Sequence, residues 1–203
     1  MAGKGGAPHV GVLALQGGVI EHVRMLRTVG AETVEVRLPH QLEGLDALVI
    51  PGGESTTIGK LVVRFELLEP LRIFAGHRPV WGTCAGMILL ARDIGKGEPL
   101  LGLMDICVER NAFGRQTDSF TAALPVPALE QGVERPFPAV FIRAPIIRQA
   151  RGKATELARL SDGSVVAARE GRWLATSFHP ELTGDDRFHR YFLEMVRESV
   201  ALP

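Results

Sequence analysis

The chain has little of what marks a secreted, membrane-bound or nucleic-acid-binding protein. It carries only two cysteines, Cys84 and Cys107, in 203 residues. A disulfide-stapled scaffold needs more than that, so a thiol here is expected to stay reduced and reactive. No apolar run is long enough to cross a bilayer. The opening Met-Ala-Gly-Lys-Gly-Gly-Ala-Pro lacks the apolar segment of a secretory leader. An excess of either charge is also missing, because 23 Lys plus Arg balance 23 Asp plus Glu. That removes any bulk electrostatic argument for nucleic acid or an anionic membrane as partner. Two cysteines and six scattered histidines offer no ligand spacing of the zinc kind. The glycine-rich turns lack the Gly-Lys-Ser/Thr that closes a phosphate loop. No metal and no cofactor are expected, and the cytoplasm is the default compartment.

What is present is a core. Apolar residues make up 46% of the chain, which excludes disorder and suits one domain. A loose tail over 1–8 is expected to precede a single domain over 9–203. His9 to Leu15 reads as a buried strand. Val19, Val23 and Leu26 then recur at helical spacing up to Gly30. Glu32 to Leu38 and Asp46 to Ile50 read as further strands, and a long helical stretch covers Thr56 to Ala75 with an interruption near Pro70. Pro79 to Trp81 reads as a strand, and Met87 to Ala91 as part of a helix. This alternation predicts a parallel sheet with helices on both faces, an α/β fold. From Asp105 the texture becomes strand-rich, with candidates at 106–108, 120–123, 139–142, 157–160 and 165–168, antiparallel in part. Asp185 to Val200 reads as an amphipathic helix. Phe188, Phe192, Met195 and Ser199 share one face, and Asp185, Asp186, Arg187, Arg190 and Glu194 can lie in water.

The strongest chemical signal is Gly82-Thr83-Cys84-Ala85-Gly86, between the strand Pro79-Val80-Trp81 and the helical run Met87 to Ala91. A nucleophile on so sharp a turn needs small neighbours, and the thiol then stands at a helix N-terminus that favours an anion. A buried structural cysteine in a tight turn is the plain alternative. A thiol needs a base, and the base needs an orienting group. Of the histidines, His179 ends an apolar strand, Trp173 to Phe178, and opens His179-Pro180-Glu181. Pro180 stiffens the chain past the strand, and Glu181 can turn back onto the imidazole. The other histidines lie in the tail, on helices or in polar connections. A third element is the strand Asp46 to Ile50, which runs into Pro51-Gly52-Gly53. The backbone N–H groups of Gly53 and Ala85 are the natural pair of donors for a tetrahedral oxyanion. Cys107 has neither an elbow nor a local partner, and reads as a small buried hydrophobe.

These pieces, in this order, resemble the class I glutamine amidotransferase family. The resemblance is closer to its glutaminase subunits that serve pyridoxal 5-phosphate synthase. It rests on Gly11 to Gly17 with Glu21-His22, on Ile50-Pro51-Gly52-Gly53-Glu54-Ser55-Thr56-Thr57, and on Trp81 to Gly86. It also rests on Val108-Glu109-Arg110-Asn111-Ala112-Phe113-Gly114-Arg115-Gln116, on Phe141 to Pro145, and on Thr176 to Leu182. The resemblance implies a three-layer sandwich with a mixed, mostly parallel sheet. It implies hydrolysis of L-glutamine through a thioester on Cys84, with His179 and Glu181 completing the triad. Ammonia would pass to a partner synthase subunit built as a (β/α)₈ barrel. It also implies glutamine contacts at Gly53, Glu54, Ser55, Arg110, Ile142 and Arg143, and a barrel-facing loop near Gln16 and Glu21. For Arg110 and Arg143 a plain surface charge is the alternative, and for Glu54 a place at a helix N-terminus. Two other readings remain open: a cysteine hydrolase or peptidase of similar fold, and a non-catalytic regulatory subunit.

Overall fold

A computed structural model describes residues 6–98, 100–110 and 119–201. Part of the Glu109 to Gln116 motif, from Asn111 onward, and the first five residues of the expected tail lie outside the described residues.

The apolar runs of the first half become short buried strands: β1 (His9–Leu13), β2 (Glu32–Val36), β3 (Ala47–Ile50) and β4 (Val80–Thr83). They are linked by α1 (Val19–Thr28), α2 (Ser55–Arg64) and α3 (Leu68–His77), and α4 (Ala85–Leu90) follows β4. The second half supplies β5 (Ala91–Asp93), β6 (Met104–Glu109), β7 (Ser119–Leu124), β8 (Phe137–Ile142) and β9 (Ile146–Ala150). It continues with β10 (Thr155–Arg159), β11 (Val165–Glu170), β12 (Trp173–Thr176) and the final helix α5 (Arg187–Ala201).

The main sheet runs β2-β1-β3-β4-β12-β11-β9-β6-β5, with β10 paired to β11, while β7 and β8 form a separate hairpin. Strands β2 to β4 and β12 are parallel, and β11 turns the sheet antiparallel. Strands β3 and β4 are buried along their whole length, which is why they read as unbroken apolar runs. Two apolar layers cover the two faces. Val10, Val49, Trp81 and Leu174 join Leu26, Phe188 and Phe192 on one side. Leu13, Leu48, Ile50 and Val80 join Ile58, Leu71 and Met87 on the other. The α/β sandwich with a mixed sheet is therefore as expected.

Several local expectations shift. The long helix expected over Thr56 to Ala75 is two helices, and the break precedes Pro70. Glu66, at φ 57°, reverses the chain between α2 and α3. Pro70 stands in the first turn of α3, where an amide N–H would have no helical partner anyway. Strand β9 is not among the strands expected from the sequence, and it bridges β11 to β6. Its Ile146 and Ile147 are both buried, so no alternation announced it. Ala91 opens β5 and does not extend α4.

Phe188, Phe192 and Met195 of α5 are buried as expected, but Arg187 is not in water. Its guanidinium holds the Asp185 carboxylate through Nε at 2.9 Å and Nη2 at 2.6 Å. Its Nη1 donates to the carbonyls of Arg135 at 2.7 Å and Glu130 at 3.1 Å. Asp185 in turn accepts the Arg187 N–H at 3.1 Å, which starts the helix. Burial pushes the Asp185 carboxyl up, but the Arg187 hydrogen bonds bring it below its ordinary value. Arg187→Met is expected to cost about 3 kcal/mol, because it strands a carboxylate and two carbonyls. A denaturant midpoint moved by less than about 0.5 kcal/mol equivalent would contradict that.

Candidate active site

Strand pairing brings together motifs that are distant in sequence. Strand β4 lies between β3 and β12, parallel to both, with Ile50 opposite Gly82 and Thr83 opposite Thr176. Parallel strands end on the same edge of the sheet. The Pro51-Gly52-Gly53 turn, Cys84 and His179 therefore all emerge at one carboxyl edge, where α/β folds bind their ligands.

The elbow has the strain its sequence implies. Cys84 sits at φ 48° and ψ −103°, a region that L-residues avoid and that persists only where surroundings enforce it. Its N–H is held by the Thr176 carbonyl at 2.7 Å. The flanking glycines have no room for a side chain. A β-carbon at Gly82 would overlap the backbone of Gly86, and one at Gly86 would overlap the Ile50 carbonyl. Ala85 and Gly86 open α4, so the sulfur stands at a helix N-terminus.

His179 and Glu181 form the compact unit expected of His-Pro-Glu. Nδ1 of His179 lies 2.8 Å from Oε1 of Glu181, and the carboxylate is fully buried. Cys84 and the ring border the same cavity, and both side chains press on Gly52. The His179 backbone is fixed by its N–H to the Val140 carbonyl at 2.8 Å. Burial works against the imidazolium. The proximity of Cys84 and Glu181 outweighs it and raises the ring to about 10 from 6.5. Burial likewise pushes Glu181 up, but His22 and His179 hold it below its ordinary value. The native chain thus keeps a proton that an unfolded imidazole loses near neutrality. The stabilisation from this pair is complete below about pH 6.5 and disappears as pH rises through about 10. An imidazole NMR titration is expected to find His179 protonated at pH 8, and to find the transition moved to lower pH in Cys84→Ala. A wild-type transition near 6.5 would contradict this.

A cavity of about 510 Å³ opens beside these groups. Its walls include Gly53, Glu54, Ser55, Cys84, Ala85, Arg110, Ile142, Arg143 and His179, so every residue expected in the site except Glu181 borders it. Glu181 lies behind His179. Glu54 also serves as the cap of α2. Its carboxylate accepts from Thr57 N at 2.7 Å, Thr57 Oγ1 at 2.7 Å and Thr56 N at 3.0 Å. The Thr57 and Thr56 hydrogen bonds hold it down to about 2, so it stays ionised. Arg110 Nη2 reaches Thr56 Oγ1 at 3.4 Å. Ile142 ends β8 beside Cys84, and Arg143 follows it. The Ile142 carbonyl lies 3.9 Å from Sγ, and Arg143 adopts φ 44°.

The chain compares closely with known proteins. A model of the SNO glutamine amidotransferase family matches residues 12–198. The chain belongs to the SNO glutamine amidotransferase family. Pyridoxal 5'-phosphate synthase subunit PdxT of Pelotomaculum thermopropionicum is 63% identical over 187 residues, covering 91% of this chain and 93% of that protein. The PdxT subunit of Herpetosiphon aurantiacus is 60% identical over 189 residues, covering 91% and 98%. A crystal structure of a glutamine amidotransferase superposes with a TM-score of 0.85 at 49% identity, covering 93% of this chain and 98% of that one. A putative GMP synthase protein from Thermoplasma acidophilum, at 18% identity and TM-score 0.71, covers 98% of both chains and shares the fold.

As a member of this family the chain also carries features that sequence reasoning passed over. His22 and His189, read as ordinary helix residues, are wholly buried, as is Thr83. His22 lies 3.1 Å from His189, 3.2 Å from Thr83 and 3.3 Å from Glu181. Thr83 Oγ1 accepts the Gly52 N–H at 2.9 Å. Gln16, expected to face a partner, lines the cavity and accepts the Glu54 N–H at 2.7 Å. Only its place in a glycine-rich turn hinted at that. No helix of the described residues is long and apolar enough to cross a membrane.

Proposed function

We propose that this chain, with residues 9–203 acting as one domain, is the glutaminase subunit of a pyridoxal 5-phosphate synthase. The observation that carries the reading is the buried His179–Glu181 pair at 2.8 Å, whose ring shares one cavity wall with Cys84. Sγ of Cys84 attacks the side-chain carbonyl carbon of L-glutamine, and the oxyanion that forms is met by the N–H groups of Gly53 and Ala85. His179 gives its proton to the departing nitrogen, the C–N bond breaks, and ammonia leaves a thioester on Cys84. Acylation removes the thiolate that had supported the imidazolium. The ring then loses basic support and is left neutral, ready to take a proton from water. That water adds to the thioester, the C–S bond breaks, and glutamate departs. One enzyme group therefore serves as acid and then base because its own reaction changes the charge beside it.

Substrate recognition follows from charge. Arg110 and Arg143 suit the α-carboxylate of glutamine, and the ionised Glu54 suits its α-ammonium group. Ser55 and the exposed backbone around Ile142 complete the binding wall. Ammonia is passed to the synthase partner, by the resemblance a (β/α)₈ barrel, and the two relatives' names as synthase subunits support such a partner. The intact Cys84–His179–Glu181 arrangement weighs against a regulatory subunit with a dead site, and family membership weighs against a peptidase. The scarcity of cysteine supports the cytoplasm as its compartment, and the balanced charge argues against nucleic acid as partner. Glutamate release from glutamine, followed with and without the synthase subunit, tests the reading. Turnover with the partner present is expected, and background release in both cases would overturn it.

A further inference from the structure

The two steps above use Cys84, His179 and Glu181, yet three wholly buried polar side chains crowd behind them. His22 comes from α1, Thr83 from the last position of β4, and His189 from α5. Buried imidazoles are seldom placed together without a task for their protons. The carboxylate of Glu181 lies between two rings. Its Oε1 faces Nδ1 of His179 at 2.8 Å, and its Oε2 faces Nε2 of His22 at 3.3 Å. Oε2 is buried and makes no hydrogen bond of good geometry among the described residues, and Nε2 of His22 also lies 3.2 Å from Oγ1 of Thr83. Gly18, at the start of α1, closes the remaining side, since a β-carbon there would stand 2.8 Å from Oε1.

The position of the protons follows from counting donors. Burial, ahead of every charge nearby, lowers the pKa of both His22 and His189, so each ring is neutral and carries one N–H. Nδ1 of His22 meets Nε2 of His189 at 3.1 Å. If His189 donates, His22 carries its proton on Nε2, between Oε2 of Glu181 at 3.3 Å and Oγ1 of Thr83 at 3.2 Å. Nδ1 of His189 is then a bare acceptor with no hydrogen-bond partner among the described residues, and the Thr83 hydroxyl proton turns away from His22. If His22 donates instead, its Nε2 can accept from the Thr83 hydroxyl, but Oε2 of Glu181 faces that lone pair at 3.3 Å without a donor, and His189 buries an N–H without an acceptor. The first arrangement is favoured because it gives the buried ionised carboxylate a donor and leaves bare only a neutral ring nitrogen.

The geometry points to His22 as a positioning residue for the amidohydrolysis: its Nε2–H, in the tautomer set by His189, pins Oε2 of Glu181 so that Oε1 stays aimed at His179. This rests on the glutaminase reading. The carboxylate orients the base only if it is itself fixed, and a neutral donor fixes it without competing for its charge. Thr83 extends the arrangement to the Gly52 turn on the far side of Cys84, so one buried cluster braces both walls of the site.

The test compares His22→Leu with His22→Gln in the full chain with its synthase partner. Leucine removes the N–H, and glutamine places an amide N–H at similar reach. Displacing a catalytic group by an ångström can cost about 10²-fold, so His22→Leu is expected to lower kcat by about 10- to 100-fold with KM for glutamine within about twofold. His22→Gln is expected to recover most of kcat, to within about fivefold of wild type. Nitrogen-15 imidazole spectra of the wild-type chain are expected to show His22 neutral with its proton on Nε2. That readout stands even if the leucine variant fails to fold. Wild-type kcat in His22→Leu, equal losses in both variants, or a proton on Nδ1 of His22 would overturn the proposal. A wild-type chain that releases no glutamate would instead defeat the glutaminase reading, and the spectra would still judge the tautomer.

Discussion

Cys84→Ala is expected to leave glutamine hydrolysis at background while the chain still folds and still binds the proposed synthase partner. Among the described residues of the cavity wall, Cys84 carries the one thiol, and on the proposed mechanism it forms and releases the acyl intermediate with His179 and Glu181 as its base and orienter. Groups that act as one unit do not divide the rate among themselves, so removing the nucleophile is expected to cost about 10⁴-fold or more. Structural reasons make the change silent elsewhere. Alanine removes only the sulfur at this buried position, the backbone strain at φ 48° is the same for both residues, and the Thr176 carbonyl still holds the amide. Loss of partner binding together with activity would signal misfolding. Initial-rate ammonia assays with a binding measurement on the same sample separate the two outcomes.

The second large effect concerns a residue with no side chain. Gly52 packs against the catalytic pair so closely that a β-carbon would overlap Cε1 of His179 and stand 3.1 Å from Cβ of Cys84. The imidazole cannot yield easily, because Glu181 holds its Nδ1 and the Val140 carbonyl holds its backbone N–H. Gly52→Ala is therefore expected to push the base off the nucleophile and lower kcat/KM by about 10²-fold or more. The fold should survive, since the neighbour displaced is a side chain at the cavity edge and not core backbone. Retained activity would show that the turn or the ring can move aside, and the compact geometry would then overstate the constraint. Gly86 makes an instructive contrast. Its β-carbon would meet the Ile50 carbonyl, so the same substitution there strikes the sheet itself.

The parts of the site that were legible in the sequence are those whose chemistry dictates a local pattern. A strained elbow demands glycine on both sides, so Gly82 and Gly86 announce Cys84. A base and its orienter can be two residues apart at a strand end, so His179 and Glu181 announce each other. The α/β fold was legible because strands buried on both faces are short apolar runs. His22, Thr83 and His189 were not legible, because their contact exists only once α1, β4 and α5 are packed. On a helix, a wholly buried histidine looks like any polar residue of the exposed face. Arg187 misled for a related reason. Amphipathic patterning assigns an arginine to water, but this one is claimed by Asp185 and two loop carbonyls. Glu54 shows that two readings can share a residue, since it caps α2 and borders the cavity at once.

Mass spectrometry of the intact chain, acid-quenched during turnover of glutamine with its synthase partner, tests the central claim most directly. A glutamyl thioester is expected on the peptide that carries Cys84, absent in Cys84→Ala and discharged as glutamate accumulates. Glutamate production at full rate with no adduct, or with the adduct on Cys107, would contradict it.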